Sequence, residues 1–293
     1  MLKVLAPAKL NLTFEVLAKR PDGYHEIRSV IQTINLCDSL SFQPGQEVTF
    51  KSNTSDWVAE KSLVSRTVSL LQETTRCSKG VAIEFNKHIP LVSGLGGDSS
   101  GAAATLRGLN KLWELNLSPE KLLELAMRLG SDVAFFLHGG TALVEGRGEQ
   151  VTPLPPLPRQ WTVLVVPDVP RLPGKTGQIY SRLRSHHYTD GQITKRLVAE
   201  LKTGGGPSLL FNTFENVVFT RVSELKVYRD HILKIGAPHV HLAGSGPTLF
   251  TLLKDKNQAE DLYTRCQQQN METYLVETLP GLIYLTGNTQ AEV

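Results

Sequence analysis

Cysteine is scarce in this chain: Cys37, Cys77 and Cys266 are the only three in 293 residues. They stand far apart, are odd in number and form no CxxC pair, which argues against a disulfide framework or a zinc site and fits a reducing cytosol. An excess of one charge is also missing. Lys and Arg number 31 against 28 Asp and Glu, a formal net charge of +3, and the basic residues are dispersed. Binding to nucleic acid or to a membrane surface is therefore not implied. No run of about eighteen apolar residues occurs, and the first patterned strand is preceded by no apolar signal core. Repeats and low-complexity tracts are absent too. What remains is a soluble cytoplasmic protein, with 41% hydrophobic and 20% charged residues and a length suited to two domains.

Against these absences stands the stretch Pro90 to Leu106, PLVSGLGGDSSGAAATL. Gly94, Gly96 and Gly97 permit tight or left-handed turns, and Ser99 and Ser100 offer hydroxyls where a helix begins. Ala102, Ala103 and Ala104 continue as helix, with Leu106, Leu109 and Trp113 on one face. A glycine turn feeding a helix N-terminus aims several free N–H groups and the positive dipole end at one spot, which suits phosphate. A plain strand-to-helix connection is the alternative.

Elsewhere the pattern is mixed. Leu10, Leu12, Phe14 and Val16 alternate with Lys9, Asn11, Thr13 and Glu15, so Lys9 and Asn11 share one strand face, which solvent alone could explain. Pro21, Asp22 and Gly23 form a turn before Tyr24 and His25. A strand from Ser29 to Leu36 is expected to turn at Asp38 and Ser39 into another around Leu40 and Phe42. A helix is expected from about Lys61 to Thr75, then a strand through Val81, Ile83 and Phe85 that delivers Lys87 to the glycine loop. Ser118 and Pro119 read as N-cap and first position of a helix ending at Gly130. Asp132 follows, where capping the apolar segment Val133 to Leu137 is its bland role. Thr141 to Glu145 and Gln150 to Thr152 flank Gly146, Arg147 and Gly148 as a hairpin. The proline cluster from Pro153 to Pro158 marks a domain boundary.

In the second half, a buried strand from Val163 to Val166 precedes Gly174, Lys175 and Thr176 and a helix expected near Gln178. A Walker loop fails on spacing, because GxxxxGKT needs glycine where Val169 stands. Helices are expected around Gln192 to Leu201, Val222 to Leu233 and Gln258 to Gln268. Strands are expected at His239 to Leu242, Thr248 to Leu253, Tyr274 to Val276 and Leu282 to Leu285. This order suggests an antiparallel sheet with helices on one face.

PAKLNL at Pro7 to Leu12, PLVSGLGGDSSGAA at Pro90 to Ala103 and LAGSGPTLF at Leu242 to Phe250 stand in the order and approximate spacing of the three motifs of the GHMP kinases. PDGYHEI, KHIP and LGSDVAFFL further resemble the 4-diphosphocytidyl-2-C-methyl-D-erythritol kinases among them. The resemblance runs from Ala6 to about Leu253. It implies an α+β, two-domain fold: an N-terminal domain over residues 1–156, similar to domain 2 of ribosomal protein S5, a ferredoxin-like domain over 157–293, and the active site in the cleft between. It also implies transfer of the γ-phosphoryl group of ATP, with Mg2+, to the 2-hydroxyl of a cytidine diphosphate-linked methylerythritol.

By the same resemblance, Asp132 matches the family's base and Lys9 the lysine beside it. Lys87, Pro90, Gly94, Leu95, Gly96, Gly97, Asp98, Ser99 and Ser100 match the nucleotide site. Asn11 matches a substrate-orienting amide, Tyr24 and His25 the cytosine site, and Thr176 and Tyr180 a hydroxyl and a second aromatic. No side chains are assigned to a metal, and a monomer or weak homodimer is expected. Mevalonate or homoserine kinases would lack the DGYHEI segment. A non-catalytic sensor would tolerate loss of Lys9 or Asp132, yet both are present, and an RNA-binding protein would need a basic, aromatic-studded face. Three positions depart from the family pattern. Ile31 stands where an aromatic is common, Gly101 where an acid or amide is common, and Asp98 in place of the third loop glycine. A carboxylate 4 Å from a phosphate costs about 4 kcal/mol at an effective dielectric of about 20. Asp98 is therefore expected to face away or to act through magnesium.

Overall fold

The computed structural model of the protein describes residues 1–170 and 174–282. The chain runs β1 (Leu2–Lys19), β2 (His25–Gly45), β3 (Val48–Ser52), α1 (Leu63–Thr75), β4 (Gly80–Asn86), α2 (Gly97–Leu112), α3 (Pro119–Leu129), α4 (Ser131–His138), β5 (Thr141–Gly146), β6 (Gln150–Pro153) and β7 (Trp161–Val166). It continues through α5 (Lys175–Arg182), α6 (Gln192–Lys202), β8 (Phe211–Asn212), α7 (Glu215–Arg221), α8 (Ser223–Lys234), β9 (His241–Leu242), β10 (Leu249–Leu253), α9 (Lys256–Gln267) and β11 (Glu272–Glu277). Among the described residues, seven strands make one sheet, in the order β3-β4-β2-β1-β8, with β5 on β2 and β6 on β5. Four strands make the other, β11-β7-β10-β9, antiparallel throughout. No helix among the described residues is long and apolar enough to cross a membrane.

Local chemistry explains the helix starts. Ser62 accepts the Ser65 N–H at the head of α1, and Ser118 accepts that of Lys121 at the head of α3, whose first residue is Pro119. Apolar faces then pack the four helices α1 to α4 on the first sheet through Val64, Leu71, Phe85, Leu106, Leu125 and Phe136, all buried. A second cluster joins the two sheets: Leu10 and Leu12 of β1 meet Leu164 of β7 and Phe250 of β10. Burial of this apolar area supplies the main drive for holding the halves together.

Several expectations are corrected. Asp38 and Ser39 are no turn but lie inside β2, where a register shift opposite Pro7 and Ala8 bends a single long strand. Asp38 is fully buried there because it has partners: its carboxylate takes the N–H groups of His88 and Ile89 and an ion pair from Lys87. The loop helix begins at Gly97, ahead of the serines, and α5 begins at Lys175 rather than near Gln178. The strand expected from His239 is only His241–Leu242. β8, which runs parallel to Thr13 and Phe14 of β1, and α7 were not anticipated. The strand expected from Leu282 to Leu285 lies, past Leu282, outside the described residues.

Candidate active site

A cleft of about 790 Å³ is lined by β1, the loop ahead of α2, the start of α4, α5 and the loop after β9. Lys9 and Asn11 are carried on β1 opposite Leu10 and Leu12, so the face that the alternation marks as polar is turned to the cleft and almost fully buried. The Lys9 ammonium donates to Asn11 Oδ1 at 2.5 Å and lies 3.5 Å from Asp132 Oδ2. Asn11 in turn donates to Ser29 Oγ at 2.9 Å, which fixes the orientation of its amide. Asp132 is the second residue of α4, behind Gly130, and is therefore not the helix's N-cap. Its carboxylate is half open to the cleft, the side chain being 37% exposed.

Two glycine-rich loops meet backbone to backbone beside this pair. Gly94 has φ +87°, and a Cβ there would stand 2.1 Å from the Ala243 carbonyl oxygen, so no side chain fits. The Thr248 N–H donates to the Ser93 carbonyl across the same junction. Gly244 is packed on both sides: a Cβ on it would stand 2.9 Å from the Gly94 carbonyl oxygen and 3.2 Å from Lys9 Nζ. Asn212 of β8 holds this second loop by donating to the carbonyls of Leu242 and Gly244 at 2.9 and 2.7 Å. Sequence reasoning assigned no role to Gly244, Ser245 or Asn212, although the first two stand within the LAGSGPTLF motif. Ser245 Oγ pairs with Thr176 Oγ1 at 2.8 Å, which ties the start of α5 to that loop.

An aromatic wall faces the loops. His25 stacks on Tyr180 with centroids 4.7 Å apart at 22°, and Tyr180 meets Phe214 edge-on. Burial, and then the Asp132 charge, pushes the Tyr180 hydroxyl well above its ordinary range, so it stays protonated. Burial and then Lys19 hold the His25 imidazole below its ordinary value, which favours the neutral ring. Tyr24 is 56% exposed at the cleft rim.

Of the residues singled out for nucleotide, Gly94, Gly96 and Ser99 line the cleft. Lys87, Pro90, Leu95, Gly97, Asp98 and Ser100 lie along or behind the loop rather than on the cleft wall. Lys87 is buried under the start of α2 against Asp38 and 4.7 Å over the Phe85 ring. Asp98 faces away: both carboxylate oxygens lie 3.2 to 3.3 Å from the Leu63 N–H at the head of α1. The residue as a whole is exposed, yet protein crowds its carboxyl and pushes it above the usual carboxylate range. Asp98→Ala is expected to cost about 1 kcal/mol of stability, as for a lost helix cap, with ATP affinity unchanged. Thermal melts with an ATP titration check this; a tenfold loss of ATP affinity would put the carboxylate on the nucleotide side.

Residues 62–140 match the GHMP kinases N terminal domain, and residues 195–272 the GHMP kinases C terminal domain. A 4-diphosphocytidyl-2-C-methyl-D-erythritol kinase of Dehalococcoides mccartyi is 51% identical over 283 residues, 96% of this chain and 100% of the relative. The chain belongs to this family of GHMP kinases. The enzyme of that name from Geobacillus kaustophilus is 39% identical over 89% of this chain and 91% of its own. A crystal structure of a 4-(cytidine 5'-diphospho)-2C-methyl-D-erythritol kinase superposes with a TM-score of 0.81 at 30% identity, covering 94% of this chain and 98% of that one. As an ATP-dependent GHMP kinase, the protein takes ATP as a substrate.

Two family departures are accounted for in this GHMP kinase. Gly101 lies on the core side of α2 and not on the cleft wall. A Cβ there would stand 3.0 Å from Phe85 Cζ and 3.2 Å from Val64 Cγ2, so the glycine lets α2 pack close on the core. Ile31 is 2% exposed and contributes a plain apolar patch to the cleft wall.

Proposed function

We propose that this kinase transfers the γ-phosphoryl group of ATP to the 2-hydroxyl of 4-diphosphocytidyl-2-C-methyl-D-erythritol, in the methylerythritol phosphate route to isoprenoid precursors. The observation that carries this reading is the approach of the Lys9 ammonium to Asp132, at 3.5 Å, in a cleft with glycine loops on one wall and Tyr24, His25 and Tyr180 on the other. Asp132 accepts the hydroxyl proton. Lys9, held by Asn11, positions that hydroxyl and offers its charge to the transferring group. The N–H groups of the first turn at the positive end of α2, from Gly97 to Ser99, bind the ATP phosphates, since that of Ser100 is already given to the Gly96 carbonyl. His25, neutral and stacked on Tyr180, presents ring nitrogens to the cytosine edge, and Thr176 adds a hydroxyl nearby.

Magnesium comes with the nucleotide in this reading. Among the described residues no group of three or more His, Cys, Asp or Glu could hold a metal ion. Ser99, on the cleft wall, is the loop hydroxyl placed to meet a phosphate-bound ion. When bound, the ion neutralises charge on the phosphates. A boundary near residue 156 places the motifs of Lys9 and the glycine loop in an N-terminal domain and α5 in a C-terminal one.

The test is ATP consumption with the cytidine diphosphate alcohol, mevalonate and homoserine side by side. Turnover with the first alone is expected, and turnover confined to either of the others would overturn the reading. In the same assay, Tyr180→Ala is expected to raise KM for the cytidine alcohol roughly fivefold or more, since an aromatic face is worth about 1 kcal/mol, and to leave KM for ATP unchanged. An effect on ATP alone would move Tyr180 out of the base site.

A further inference from the structure

A substrate with cytosine at one end and the reacting hydroxyl at the other lays its diphosphate between Tyr24 and Asp132. Arg147 stands at that place. It is the first residue of the turn at 147–149 joining β5 to β6, and it lines the cleft. Gly148 fits tightly against the first residue of α4, a Cβ on it reaching to 2.8 Å of Ser131 Cβ, so the turn is seated next to Asp132. On the other side the Arg147 guanidinium lies 4.8 Å over the Tyr24 ring. Its charge also reaches Asp22, in the turn that presents Tyr24 and His25.

The remaining chemistry of this arginine is uncommitted. Nearby Arg28 is bound to Glu145, and Arg20 to Asp22 and Glu26. Among the described residues, the Arg147 guanidinium forms no ion pair and donates no hydrogen bond. Stacking on an aromatic ring uses the face of a guanidinium and leaves its N–H edge in the plane, where it matches two phosphate oxygens at once.

We propose that Arg147 binds the diphosphate that links cytidine to the polyol, with Tyr24 as the platform that holds its guanidinium flat. The proposal rests on the substrate reading above. It makes Arg147 a specificity residue that distinguishes a nucleoside diphosphate conjugate from a bare nucleoside, while Tyr180 and His25 read the base.

Calorimetry with cytidine and CDP as probes separates the two readings. The wild-type protein is expected to bind CDP roughly 10- to 100-fold more tightly than cytidine, the worth of charge-assisted hydrogen bonds. Arg147→Gln is expected to shrink that ratio about tenfold or more, with cytidine affinity, ATP affinity and melting temperature nearly unchanged, and to raise KM for the cytidine alcohol in step. Arg147→Lys is expected to recover part of the ratio, a rescue that a purely steric role would not show. If cytidine and CDP weaken equally in Arg147→Gln, the arginine merely steadies Tyr24 and the proposal fails. It also fails if the ratio is untouched, or if ATP affinity falls instead. A wild-type protein that binds neither probe would overturn the substrate reading itself, before any variant is compared.

Discussion

Asp132→Asn is expected to lower turnover by at least about a hundredfold, with ATP affinity and melting temperature nearly unchanged. The carboxylate and the carboxamide have the same shape, but the amide cannot take a proton, and a positioned base contributes about 10² to 10⁴ in rate. The structure removes the main structural objection to this test. Asp132 is the second residue of α4 and does not cap the helix, so its replacement leaves no orphaned cap. What is lost is a negative charge in a first helical turn, worth about 0.3 to 1 kcal/mol, and a 3.5 Å ion pair with one partly exposed member. Steady-state kinetics, ATP calorimetry and a thermal melt decide it together. Near-normal turnover would reduce Asp132 to an ion-pair partner of Lys9. Asp98 would be a poor replacement, since its carboxylate is turned to the Leu63 N–H and away from the cleft.

Gly96→Val is expected to abolish measurable ATP binding in a chain that still folds. Gly96 is the N-cap of α2, with φ +76°. A side chain there is strained by about 1 to 2 kcal/mol in any surroundings, more for a β-branched one. The surroundings add to it: a Cβ would stand 2.9 Å from Phe136 Cζ and 3.1 Å from Lys9 Cγ. The valine therefore turns the loop N–H groups out of line and presses on the Lys9 stem at the same time. A circular dichroism melt is expected to show a folded protein of lower melting temperature, and calorimetry no ATP heat. Unchanged ATP affinity would sink the assignment of this loop to the phosphates.

The sequence by itself carried a large part of this protein. Periodicity located β1, α1, α3 and the strands of the second sheet, and the hydroxyl cap at Ser118 with Pro119 set a helix start, because these signals act over a few neighbouring residues. The three motifs carried the family, since each is a local arrangement of glycines, hydroxyls and charges. Alternation along β1 also showed that Lys9 and Asn11 share a face with Thr13 and Glu15. It could not show what covers that face. In the folded protein all four are buried, between the cleft and α6, where Glu15 and Thr13 meet Thr194.

The tertiary structure decided everything that depends on residues far apart in the chain. Asp38 reads as a turn residue until His88, Ile89 and Lys87 arrive to satisfy its carboxylate. Gly101 reads as a missing polar group until Phe85 and Val64 are seen to fill its side of the helix. Gly94 cannot carry a side chain because of Ala243, and Arg147 meets Tyr24 only because two turns more than a hundred residues apart close on one rim. A period in the sequence reports which side chains point the same way. Which partner meets them, and hence whether a charge is solvated, paired or aimed at a ligand, is fixed only when the sheets and helices pack.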